Sequence, residues 1–286
     1  TIRFSGCISA SVTLLSPHNL PLKNHPSIGG RDFPLNLCST EGTMAGISFR
    51  KFIRWLPEEA SEPTSTLVLT SPERRFVDIR VLLGDGSDAL PDSEQILPLS
   101  RLDWAIAGTS SSTVLADGHS RSKWVHWIDS RALEAPADEG HMYAQPDRLS
   151  TLEKGRMVNP DTGKDTDYEE MWFDPPPKAT SGADKALCVV LLMEDEEKGK
   201  KGMFVRLGEW AQVLVRDGEG DGEGDVVAER WEWRDDGLGW RRRVRLGDEG
   251  REMPCEEVLR GEIEMRVGGE VKVGDDVWRV VEVAEV

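Results

Sequence analysis

The stretch ISFRKFIRW, residues 47–55, decides how the chain is read. Ile47, Phe49, Lys51, Ile53 and Trp55 fall on one face of an extended strand, and Ser48, Arg50, Phe52 and Arg54 on the other. The pattern follows because successive Cβ atoms of a strand point to opposite sides. Outward from it the same period of two recurs at residues 66–70, 76–83, 102–107, 113–116, 123–130, 156–159 and 169–173, and long helical periodicity is absent.

A Gly/Asp/Pro stretch at 84–98 and the run Pro175-Pro176-Pro177 read as breaks. Beyond the prolines a second strand series is expected at 186–193, 203–207, 210–216, 226–234, 240–246, 262–267, 270–273 and 277–283, with one or two helical turns within 253–261. Turn signals such as Lys198-Gly199 and Asp236-Gly237 separate these strands. Leu102-Asp103-Trp104-Ala105 is echoed by Glu209-Trp210-Ala211, which favours two duplicated β-domains over one sheet. The expected fold is therefore all-β, an antiparallel barrel or sandwich in each half.

The 286 residues carry 35 Lys+Arg against 52 Asp+Glu, a formal charge of −17 that opposes nonspecific attraction to nucleic acid or anionic lipid. Ten Trp against two Tyr call for wide, partly enclosed packing surfaces, and a barrel interior is one. No apolar run reaches the length of a membrane-spanning helix. The four Cys (Cys7, Cys38, Cys188, Cys255) show no metal or disulfide spacing and read as thiols of a reduced compartment. Residues 1–43, with four prolines and no sustained periodicity, read as a non-globular lead, an extension or a gene-model artefact ahead of Met44.

No chemical motif survives inspection. The acidic run DGEGDGEGD, residues 217–225, places Asp217, Glu219, Asp221 and Gly222 like a calcium loop, but its twelfth position is Ala228, so a hairpin connection is the better reading. Gly163-Lys164 lacks the remainder of a phosphate-binding loop, and no GxSxG elbow or Ser/His/Asp set can be chosen. His119, His126 and His141 match no zinc spacing, and His126 reads as a packed or surface group. Arg241, Arg243 and Arg245 should share one strand face, salt-bridged across a hairpin to Glu229 and Glu232. A protein that is not an enzyme, and that needs no cofactor or metal, is expected.

The run LDWAIAGTSSSTVLADG (102–118), then W-x-x-W-I-D-S (124–130), then YEEMW (168–172) with Pro175 close behind, resembles the first half of the fungal Hri-one family. Residues 208–212 and the Gly-x-x-x-Trp-x-Val-x-Glu pattern at 274–282 are similar to its second half, so the resemblance covers about 46–286. It rests on Trp104, Gly108, Trp124, Trp127, Asp129, Trp172, Trp210 and Trp278. The resemblance implies two lipocalin-like antiparallel β-barrel domains in tandem, 44–178 and 179–286, in the cytoplasm and nucleus, with no established activity. It also implies a casein kinase I-type kinase as partner. For such a kinase Ser61 is a possible phosphosite, because Glu58 lies three residues before it in a Pro-flanked loop. The alternative is a carrier holding a small apolar ligand in a barrel interior.

Overall fold

The computed structural model describes residues 45–84, 86–180, 182–218, 226–261 and 265–286. The expected lead, 1–43, and most of the acidic run 217–225 lie outside the described residues.

Gly42–Val286 cluster as one compact unit. Its first part is built from β1 (Gly46–Trp55), β2 (Thr64–Thr70), β3 (Arg75–Leu82), β5 (Leu102–Val114), β6 (Ser120–Asp129), β7 (Asp138–Ala144), β8 (Ser150–Asn159) and β9 (Lys164–Phe173). These eight strands close into an antiparallel barrel, β9 returning to pair with β1. The later strands are β10 (Leu187–Asp195), β11 (Lys200–Leu207), β12 (Trp210–Arg216), β13 (Val226–Arg234), β14 (Gly239–Leu246), β15 (Glu270–Val273) and β16 (Asp276–Glu285), with one short helix, α1 (Cys255–Leu259). They form an open sheet in the order β15-β16-β10-β11-β12-β13-β14.

The second barrel expected from the sequence is thus not closed. Its far edge is completed by β4 (Gln95–Leu97), which pairs in parallel with β14. The segment 84–98, read as a break, instead reaches across to the second sheet. The expected strand at 262–267 is not found at Met265–Val267, and 262–264 lie outside the described residues.

Alternation along the strands builds three apolar layers. One face of the barrel wall (Ile47, Leu67, Leu69, Val77, Ile79, Val81, Ala105, Ala107, Ile128) packs on one face of the open sheet (Cys188, Val190, Met203, Val205, Leu207, Leu214, Ala228, Val244, Leu246). The opposite face of that sheet holds Val189, Leu191, Phe204, Val213, Val215 and Trp278, covered by Val258 and Leu259 of α1. Each large side chain removed from water here contributes roughly 1.5–3 kcal/mol. The third layer lies inside the barrel, where Phe76, Trp104 and Ile106 pack together with Val68 and Trp124.

Bulges explain where simple alternation fails. The register of β1 against β9 shifts between Arg50 and Phe52, so Lys51 is the extra residue. Ile47 and Phe49 therefore face the open sheet while Trp55 meets Tyr168 edge-on, with centroids 5.8 Å apart. A second bulge separates Arg230 from Trp231 opposite β14, and it splits the arginine run. Arg243 pairs with Glu232 at 2.7 Å, whereas Arg242 and Arg245 both reach Glu229. The single arginine face expected on β14 does not form. The echo of Trp104 by Trp210 is likewise one of sequence alone: Trp104 lies within the barrel, while Trp210 lies between the sheets against Phe49.

A polar knot pins barrel and sheet. Gln212, fully buried, donates through Nε2 to the carbonyls of Leu67 and Val77, each at 2.9 Å, and accepts from Arg230 Nε at 3.0 Å. Arg230 continues to the carbonyl of Ile79 at 2.7 Å and to Ser65 Oγ at 2.9 Å. Burial lowers its pKa to about 10, with Asp78 opposing that shift. Glu282 of β16 accepts from Ser71 Oγ at 2.6 Å and from the Glu73 amide at 2.9 Å, fixing the β2–β3 turn.

Candidate ligand cavity in the closed barrel

The barrel encloses a cavity of about 640 Å³. Clefts that hold small molecules commonly run from about 300 to 1,000 Å³. Its wall combines Trp104, Trp124, Trp172, Phe76 and Met142 with the charged side chains of Asp78, Arg80, His126, Glu153 and Glu170. Charged groups this deep persist only when paired, and Asp78, Arg80, His126 and Glu170 are.

Arg50 donates from Nη1 to Glu170 at 2.6 Å, from Nε to Glu62 at 2.8 Å and from Nη2 to Thr64 Oγ1 at 2.9 Å. Arg80 donates from Nε to Asp78 at 2.9 Å and lies over the Trp104 ring, 5.0 Å from its centroid. Burial alone would depress the pKa of Arg80, but Asp78 and Glu170 outweigh it and the guanidinium stays charged. For Asp78 burial dominates and raises the carboxyl despite Arg80.

Glu153 accepts from the Tyr168 hydroxyl at 2.7 Å and from Trp172 Nε1 at 2.9 Å. Burial, then the charge of Glu170, push its pKa up to about 8 against the pull of those two donors. At neutral pH Glu153 is mostly a neutral acid in the cavity wall.

His126 is held between Asp129 Oδ2, 2.8 Å from Nδ1, and Asp138 Oδ2, 3.3 Å from Nε2. Burial opposes its charge, yet the two carboxylates win and raise the imidazole to about 9. Asp129 also accepts from Trp104 Nε1 at 3.0 Å and from the Arg131 amide at 2.7 Å. Burial opposes ionisation of Asp129, and its donors, His126 foremost, nonetheless hold its pKa below the usual carboxylate range. His126 is a packed residue of the cavity wall. His119 and His141 meet each other instead, with ring nitrogens 2.9 Å apart, so the three histidines do not converge.

Four of the residues that carry the sequence resemblance, Trp104, Trp124, Asp129 and Trp172, come together around this cavity. Gly108 sits at the β5–β6 bulge, where an added Cβ would lie 1.9 Å from the carbonyl oxygen of Val125. Trp127 and Trp210 pack into the layer between barrel and sheet, and Trp278 is buried in the far layer. Ser61 lies on the outer surface, exposed, with its backbone bridged to Ile53 at 2.8 and 2.9 Å. Arg50, Asp78, Arg80, Glu153 and Glu170 were not singled out from the sequence, and neither was β7, which supplies Asp138 and Met142.

A second concavity, about 590 Å³, lies over the arginine run and Trp240. Four of its five arginines are already paired, among them Arg243 with Asp92 at 2.7 Å and Arg242 with Glu94 and Glu229. The barrel interior is the stronger candidate.

The family model of Protein HRI1 matches residues 46–282. The chain belongs to the HRI1 family. Among solved structures it is similar to an uncharacterised protein of Saccharomyces cerevisiae, YLR301w, with a TM-score of 0.66 and 18% identity, covering 84% of this chain and 99% of that one. At that identity the likeness speaks for the fold. No curated protein matches. In this HRI1 chain the matched span takes in both the closed barrel and nearly all of the open sheet.

Proposed function

We propose that the protein is a non-catalytic binder that uses its closed barrel, in the manner of a lipocalin, to hold a small amphipathic molecule. The observation that carries this reading is the cavity of about 640 Å³ bounded by three tryptophans. Packed cores have few voids larger than a water molecule. The wall fits an amphipathic ligand better than a wholly apolar one, because Arg80, Asp78 and Glu170 stand beside the aromatic rings. The charged groups are mutually paired rather than trained on an activated nucleophile, which supports binding over catalysis.

Native mass spectrometry of protein purified from its own host tests this. A small organic molecule retained in stoichiometric amount, and absent from a Ser122→Trp variant that fills the cavity, is the expected result. Bare protein in both preparations would overturn it.

A second reading takes the protein as a partner of a casein kinase I-type kinase in the cytoplasm and nucleus. It rests on the family resemblance and on Ser61, whose side chain is exposed with Glu58 three residues before it. Phosphorylation there would add about 1.5–2 negative charges. Association with the host kinase and phosphate mapped to Ser61 would support this reading; no association with wild type or Ser61→Ala would remove it.

A further inference from the structure

Among the described residues, the two non-glycine positions with left-handed backbone are both arginines, Arg74 at φ +66° and Arg148 at φ +61°. They occupy the same place in the same kind of turn. Ser71-Pro72-Glu73-Arg74 joins β2 to β3, and Gln145-Pro146-Asp147-Arg148 joins β7 to β8. In each, the arginine amide donates to the first residue of the turn, Arg74 to Ser71 at 2.9 Å and Arg148 to Gln145 at 3.0 Å. The position that follows such a turn in a hairpin favours glycine, the residue free to adopt positive φ. Here the chain places a long cation there twice.

Both arginines line the barrel cavity, at the end where β2, β5, β7 and β9 finish. In the ring β1-β2-β3-β5-β6-β7-β8-β9 the two turns are four strand positions apart out of eight, so they face each other across the opening. Among the described residues neither guanidinium has a hydrogen-bond or ion-pair partner. The acids of the two turns are engaged elsewhere: Glu73 with Arg75 at 2.6 Å, and Asp147 with the Leu149 and Ser150 amides at 2.9 and 2.8 Å. Asp174, the carboxylate at this rim, is occupied by Ser48 Oγ at 2.6 Å and Thr151 Oγ1 at 2.7 Å. In a chain of net charge −17, two unpaired guanidiniums at a cavity mouth form a local site for an anion.

We infer that the ligand is an amphipathic organic anion, seated with its aromatic or aliphatic body among the barrel tryptophans and its carboxylate, sulfate or phosphate head between Arg74 and Arg148. This rests on the reading of the cavity as a ligand site, and two probes keep the two claims separable. 8-Anilinonaphthalene-1-sulfonate carries the anionic head, and N-phenyl-1-naphthylamine is the same aromatic body without it. In fluorescence titrations of the full chain, wild type should bind the sulfonate more tightly, and the sulfonate should displace the neutral probe. Arg74→Gln with Arg148→Gln should weaken sulfonate binding by about ten-fold or more, as loss of a charge-assisted contact does, while neutral-probe binding holds.

Arg74→Gly and Arg148→Gly provide a second readout, because each relieves the backbone constraint. They should raise the melting temperature and still weaken sulfonate binding. Equal loss of both probes, or no loss of either, overturns the anion site while leaving the cavity reading in place. Failure of wild type to bind either probe overturns both.

Discussion

Glu153→Gln separates the buried acid from every other titrating group in the barrel. Glu153 has a pKa raised from 4.5 to about 8. Between those values the folded protein holds a proton that the unfolded chain has released. Stability from this group is therefore greatest at low pH and is lost as pH rises through about 8. Near pH 6 the folded pKa lies about two units above ambient, and each unit is worth about 1.4 kcal/mol. Raising pH from about 6 to about 9 should thus cost wild type up to about 3 kcal/mol through Glu153, or roughly 6–12 °C of melting temperature in a unit this size. Glutamine can keep its carbonyl oxygen for Trp172 Nε1 and turn its amide toward the Tyr168 hydroxyl, which then accepts, and it does not ionise. The stability of the variant relative to wild type should rise by up to about 3 kcal/mol between about pH 6 and pH 9 in thermal melts. His126 titrates in both proteins and cancels in the difference. A gap between the two melting temperatures that stays constant over that range would show that Glu153 is ionised throughout and refute the reasoning.

The imidazole of His126 should titrate near 9 by NMR and fall toward its ordinary 6.5 in Asp129→Asn; its contribution to stability is complete below about 6.5 and disappears as pH rises through about 9. Gly108→Ala forces a methyl to within 1.9 Å of a backbone oxygen, so the β5–β6 pairing must move; a loss of about 2 kcal/mol or more in chemical denaturation is expected. Gln212→Leu leaves the buried Arg230 Nε without its acceptor and removes two hydrogen bonds between barrel and sheet, which should cost about 2–4 kcal/mol. A Gln212→Leu midpoint equal to wild type would mean that the apolar layer alone holds the two sheets together.

Period two made most strands legible, since each has faces in different surroundings. It failed at bulges, because one inserted residue swaps the faces of everything beyond it: Lys51 turns Ile53 and Trp55 away from the face of Ile47 and Phe49. β7, DEGHMYA, was missed because it begins with two acids and a glycine and has no apolar alternation. Closure was illegible in both halves, since pairing of first with last strand is a long-range event, and the short β4 gave no sign that it would join β14. The cavity wall was hidden for a related reason. In RFVDIRVL, Asp78 and Arg80 occupy the alternate positions that ordinarily mark a solvent face. Here that face looks into the barrel, and the pair is buried with its charges matched. The tryptophans were the better signal, for Trp104, Trp124 and Trp172 stand on the same inner wall. The Pro-acid-Arg turns were open to view in the sequence, but only closure of the ring shows that they oppose each other.

The most direct test of the barrel as a binding cavity is the ¹H–¹⁵N spectrum of the indole groups during titration with N-phenyl-1-naphthylamine, each signal assigned by a Trp→Phe variant. Trp104, Trp124 and Trp172 line the cavity, whereas Trp278 is buried beneath the far face of the open sheet and Trp240 lines the outer concavity. Saturable shifts at Trp104, Trp124 and Trp172, with Trp278 and Trp240 unmoved, are the predicted result. Shifts confined to Trp240, or no saturable shift at the three barrel indoles, would contradict the account.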